Sequence, residues 1–77
     1  MKITYFDDTD TLLVEFADGD AHDTKDFDEN TLGEYDAKGN LLAMTLEHAS
    51  NRVNLDTFSY DTPHKTRNNP RKQLVKA

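Results

Sequence analysis

The chain has no cysteine and no tryptophan, and its 77 residues include only two prolines and three glycines. Without cysteine there is no disulfide, no thiolate metal site and no thiol nucleophile. No run approaches the ~20 apolar residues that cross a bilayer. The opening Met1-Lys2-Ile3-Thr4-Tyr5-Phe6-Asp7 turns acidic at once and lacks the apolar stretch of a signal peptide. The expectation is a reducing, cytoplasmic location with no membrane association. A body of about 60 residues buries only roughly 60% of the surface that its unfolded chain exposes, so its stability is marginal. With disulfides excluded, oligomerisation or a partner protein is the expected source of additional stability.

Basic residues are scarce in the first four fifths of the chain. Residues 1–61 carry fifteen acids against Lys2, Lys25, Lys38 and Arg52, a net of −11, whereas residues 62–77 carry five bases and no acid. This asymmetry predicts an acidic folded body over 1–61 and a basic tail over 62–77. Such a body repels nucleic acid and attracts basic proteins through a field that salt screens within about 8–10 Å.

What is present alternates. Ile3 and Tyr5 share one side of a strand over 2–6, and Asp7-Asp8-Thr9-Asp10 reads as a turn of short polar side chains. Residues 11–17 form the strongest strand, with Leu12, Val14 and Phe16 on one face and Leu13, Glu15 and Ala17 on the other. Asp18-Gly19-Asp20 then has the composition of a two-residue hairpin turn. Residues 22–28 alternate weakly and suit an edge strand whose charge discourages aggregation. Leu32 and Tyr35 mark a strand over 31–36, and Asp36-Ala37-Lys38-Gly39-Asn40 a hairpin loop with Gly39 at a left-handed position. Leu42, Met44 and Leu46 alternate through 41–47. His48 to Arg52 reads as a turn or short helical piece, with Asn54 set to cap a further turn carrying Leu55 and Phe58.

The fold class is therefore mainly β, α+β at most. It is a small antiparallel β-meander of four to five strands with a short C-terminal helical segment. From Ser59 the apolar density collapses, and the tail cannot bury enough surface to offset its ordering entropy, which predicts disorder in isolation. The inward side chains Ile3, Tyr5, Leu12, Val14, Phe16, Leu32, Tyr35, Leu42, Met44 and Leu46 form a one-sided core. Either the helical segment near 50–58 or a second copy must cover it, and so little helix favours a homodimer or other homo-oligomer.

These residues resemble a family of short bacterial proteins, domain-of-unknown-function family 2283. Met1, Lys2, Ile3 and Tyr5 match its opening; Asp10, Leu12, Val14, Glu15 and Phe16 match the strand that follows. Glu34-Tyr35-Asp36-Ala37-Lys38-Gly39 is similar to its middle loop, and Leu41 to Leu46 with Ala49-Ser50 to its close. The likeness covers roughly residues 1–50 and consists of turn and strand motifs, so it speaks to fold more than to function. Phe6 stands where the family usually has an aspartate, Gly33 where it has an apolar residue, His48 where it has an acid and Thr45 where it has a glutamate. A role resting on that glutamate does not carry over. The resemblance implies one half of a two-gene module, the neutralising partner of a small toxin, and it supplies no catalytic residues.

Chemistry-bearing constellations are sparse. Asp18, Asp20, His22 and Glu29 fall at calcium-loop positions one, three, five and twelve, but Asp23 occupies the sixth, where the sharp turn requires glycine. His22, His48 and His64 lack the short spacings of zinc motifs. Ser50, His48 and Asp56 are near in sequence, yet triads are defined by geometry rather than proximity. A chain this small also leaves little room for a pocket of several hundred Å³. No cofactor and no enzyme activity are expected.

The candidate partner-binding residues are the acidic run Asp18, Asp20, Asp23, Asp26, Asp28 and Glu29 and the tail bases Lys65, Arg67, Arg71 and Lys72. The tail could contact phosphates, but it has no aromatic past Tyr60 for base stacking and is tethered to an acidic body, which disfavours nucleic acid. The expected function is a non-catalytic protein-interaction module, the antitoxin-like partner of a small basic toxin. The alternative is a stand-alone homo-oligomer with a structural or small-ligand role.

Overall fold

A computed structural model describes residues 1–63. Five strands, β1 (Lys2–Phe6), β2 (Thr11–Glu15), β3 (Asp23–Asp28), β4 (Thr31–Tyr35) and β5 (Leu41–Glu47), precede a single 3-10 turn, Ala49–Asn51. All pairings are antiparallel, and the strands lie side by side in the order β1-β2-β5-β4-β3. The chain thus makes two runs of neighbouring strands, β1-β2 and β3-β4-β5, joined where β2 pairs with β5. β5 is the most apolar strand and takes the centre, burying Leu42 and Ala43; the acidic β3 takes an edge and is exposed along its whole length.

This order corrects the hairpin expected at Asp18-Gly19. β2 lies between β1 and β5, so residues 16–22 cross the ends of β5 and β4 to begin β3. The Phe16 and Ala17 N–H groups donate to the Leu42 carbonyl (2.8 and 3.3 Å), and His22 N–H donates to the Tyr35 carbonyl (2.7 Å). Leu42 packs beneath the crossing: a Cβ on Gly19 would lie 3.1 Å from Leu42 Cδ2. The Asp-Gly step is a local turn signal, and a local signal cannot specify which strand comes next to which. The 36–40 loop has the expected form. Asp36 accepts from the Lys38 and Asn40 backbone, and Gly39 adopts φ +88°.

The register sorts the side chains. Ile3 opposes Val14 and Tyr5 opposes Leu12, which continue to Met44 and Leu46 on β5 and to Gly33 and Thr31 on β4. Leu32 does not join them. It opposes Thr45, which opposes Leu13, which opposes Thr4, so it belongs to the other face. The sequence placed Leu32 inward because Leu32 and Tyr35 were the only apolar residues of that strand, although their odd spacing puts them on opposite faces.

Among the described residues no helix or second sheet packs on the apolar face, which is covered in part by the irregular segment after the 3-10 turn. The helical turn expected at Asn54 is not formed; Asn54 Oδ1 instead accepts from Asp56 N–H (2.9 Å), and residues 53–60 run without helix past Ile3, Tyr5 and Leu12. An asparagine side chain that bonds the N–H two residues on closes a local turn, which competes with helix. Among the described residues the buried hydrophobic ones are Leu42, Ala43 and Ala49, while Ile3, Tyr5, Phe6, Phe16, Phe27, Phe58 and Tyr60 are exposed. Among the described residues, no helix is long and apolar enough to cross a membrane.

Candidate functional site

Two polar anchors hold the end of the sheet where the 3-10 turn sits. Asp10, with φ +55°, aims its carboxylate at Tyr5 and Ser50. Tyr5 Oη and Ser50 Oγ each donate at 2.7 Å, Ser50 N–H donates at 3.0 Å, and the Asp10 carbonyl accepts from Ala49 N–H (2.9 Å). The Tyr5 and Ser50 hydrogen bonds favour the charged carboxylate and lower the Asp10 pKa; the same bond to Asp10 raises that of Tyr5. His48 makes the sharp entry to the turn at φ 58°, a region that histidine tolerates better than most residues. The Ser50 hydroxyl thus donates to Asp10, and Asp56 N–H donates to Asn54 Oδ1.

Arg52 is the second anchor. Its guanidinium donates to the carbonyls of Asn30 (2.8 Å) and Glu47 (3.2 Å) and to Thr31 Oγ1, and it lies 3.8 Å from Asp28. Asp28 accepts from Asn30 N–H (2.8 Å), and this bond, followed by Thr31 and Arg52, lowers its pKa. Sequence reasoning took Arg52 as a turn residue, because nothing local reveals a guanidinium bridging turns more than twenty residues apart.

The predicted acidic run is brought together in part. Asp23, Asp26 and Asp28 lie on β3, Glu29 in the turn after it, and Asp18 and Asp20 in the crossing before it, all exposed. Asp23, Asp26, Asp28 and Glu29 thus make an acidic border at β3, while Asp18 lies toward the other end of the crossing, near Met1 and Lys2. A bulge between Asp26 and Asp28 interrupts the β3–β4 ladder and places the Phe27 ring over Gly33. There Phe27 meets Tyr35 edge-on (centroids 6.5 Å apart, 83°), and Lys25 Nζ lies 5.6 Å from the Tyr35 ring centre. Among the described residues no three histidine or carboxylate side chains converge to hold a metal ion. Lys65, Arg67, Arg71, Lys72 and His64 lie outside the described residues, as does nearly all of the predicted tail.

The opposite border is apolar. Met1, Ile3, Phe58 and Tyr60 line an open cleft of about 520 Å³. A pocket of several hundred Å³ is thus present, contrary to the expectation from chain length; an exposed strand and the segment crossing it enclose space that a compact core would fill. Among the described residues its lining offers no carboxylate, histidine or serine side chain.

Among the described residues these features define a class: a five-stranded antiparallel sheet with one acidic border, one apolar border and an apolar face only partly covered by an irregular segment. Residues 2–50 match the family described as protein of unknown function DUF2283, and the chain belongs to that family. The matched segment ends at Ser50, so it contains both halves of the Asp10–Ser50 anchor. No curated protein and no solved structure matches the chain.

Proposed function

We propose that this protein is a non-catalytic interaction module whose acidic border docks on a basic protein, in the manner of an antitoxin covering a small basic toxin. The observation that carries the reading is the exposed acidic set Asp23, Asp26, Asp28 and Glu29 along the β3 edge, preceded by Asp18 and Asp20 in the crossing that leads to it, on a body with net charge −11. An array of one sign accelerates encounter with an opposite surface and deters nucleic acid. By imitating a phosphate backbone, it would occlude a nucleic-acid-binding surface on its target. The bulged, charged β3 resists strand addition, so the docking is by side chains rather than by an extended sheet. The apolar cleft favours a second reading, a stand-alone oligomer that holds a small apolar ligand.

The test is affinity capture from source-cell lysate with the full chain at low and moderate salt, alongside an Asp18→Asn, Asp20→Asn, Asp23→Asn, Asp26→Asn variant. Asp28 is left intact because it organises the β3–β4 turn. A stoichiometric basic protein retained by the parent and lost by the variant supports the module. Equal retention by both, or none by either, refutes it.

A further inference from the structure

We infer that a second copy of this chain adds to the outer edge of β1, joining two five-stranded sheets into one across a twofold axis at Thr4. Three features of β1 are self-complementary, and the inference does not depend on the partner proposed above.

The first is the direction of the backbone groups. Phe16 donates to Leu42 on β5, and Glu47 donates to Asn30 on the β4 side. Alternation along an antiparallel ladder then turns Leu12 and Val14 toward β5, and Thr11, Leu13 and Glu15 toward β1. Their partners Phe6, Thr4 and Lys2 face β2, which leaves the N–H and C=O of Ile3 and Tyr5 pointing outward. Among the described residues no strand lies beyond β1. An antiparallel pairing centred on Thr4 sets Ile3 of one copy against Tyr5 of the other. All four outward residues then become hydrogen-bonded pairs.

The second is the side chains. Ile3 and Tyr5 lie on the partly covered apolar face, where a β-branched residue opposite an aromatic one is a favourable cross-strand pair. Phe58 and Tyr60, 65% and 61% exposed, flank Ile3 and would roof the seam from both copies. The third is charge. β1 carries Lys2 and no acid in a body otherwise crowded with carboxylates, and the Asp7-Asp8 turn follows it directly. The Thr4-centred register sets Lys2 of each copy opposite Phe6 of the other, one residue short of the Asp7-Asp8 turn and within reach of its charge. The two borders thus divide roles: β3 is charged, bulged and closed to strand addition, whereas β1 is flat, apolar and open.

The deciding experiment joins sedimentation equilibrium of the full chain over a range of concentrations to residue-resolved amide hydrogen exchange. The expected result is a concentration-dependent dimer. The Ile3 and Tyr5 amides exchange slowly at high concentration and fast on dilution, while Thr4 and Phe6, bonded to β2, stay slow throughout. Ile3→Lys, which places a charge in the seam, gives a folded monomer by circular dichroism and sedimentation. A monomer at every concentration overturns the inference, as does a dimer whose Ile3 and Tyr5 amides exchange fast, or a folded Ile3→Lys chain that still dimerises. Should Ile3→Lys fail to fold, the amide pattern of the unaltered chain decides alone.

Discussion

Placing a side chain at Gly33 tests how the β3–β4 border is packed. A Cβ there would lie 2.7 Å from Phe27 Cζ and 2.8 Å from Cε2, too close to coexist with the ring in place, and 3.4 Å from Leu41 Cδ1. Gly33→Val therefore displaces Phe27 from Tyr35, forfeiting an edge-on aromatic pair worth about 0.5–1.5 kcal/mol. Overpacking at this buried position, whose cover is the partly exposed Phe27 ring, adds roughly 1 kcal/mol. Against this, removing glycine from a strand interior returns about 0.5–1 kcal/mol. The net expectation is a destabilisation of about 1–2 kcal/mol, or about 4–8 °C in Tm per kcal/mol for a domain of this size. In a Phe27→Ala background the space is empty, and the same substitution stabilises by about 0.5–1 kcal/mol. The pair is thus coupled by about 2 kcal/mol, within the range for residues in contact. Urea unfolding of the four chains of the cycle measures it. Additive effects within about 0.5 kcal/mol would refute the claim that Phe27 fills the space at position 33.

Three further outcomes follow from the same geometry. Leu42→Ala removes the side chain beneath the 16–22 crossing, which is 6% exposed, and lowers unfolding free energy by about 2–3 kcal/mol in thermal or urea melts, the lower part of the range for buried leucines. Gly39→Ala meets no atom within 4 Å, so only the strain at φ +88° remains, and the loss is about 1 kcal/mol. Asp10, Asp28 and Asp36 all have pKa values lowered from 3.8 by hydrogen bonds. Their stabilisation is present above 3.8 and fades as pH falls through the lower folded values. Tyr5 is raised from 10.0, so its contribution holds below 10.0 and is lost as pH rises through its folded value. Urea titrations across both limbs should show Asp10→Asn flattening each of them, since one hydrogen bond underlies both shifts.

Alternation in the sequence located all five strands, because a period of two is local and each strand carries its own copy of it. The loop at 36–40 was legible for the same reason: Asp36 and Gly39 act on residues within four positions. What the sequence hid was long-range. The crossing from β2 to β3 follows from β2 pairing with β5, about thirty residues later. The Asp10–Ser50 bond spans 40 positions, and its one local sign was an aspartate at the end of a polar turn. Nothing local marks Gly33 as a packing position, and only the bulge at Phe27 shows what occupies the space beside it. The acids were visible as a run, but which of them share the β3 edge depended on strand order.

The central claim is that this acidic border steers the protein to a basic partner, and the association rate with the captured partner tests it most directly. For the parent chain the rate should be high at low ionic strength and fall steeply as salt rises. For the Asp18→Asn, Asp20→Asn, Asp23→Asn, Asp26→Asn variant it should be lower and respond weakly to salt. Equal rates with equal salt dependence for the two chains would contradict the account.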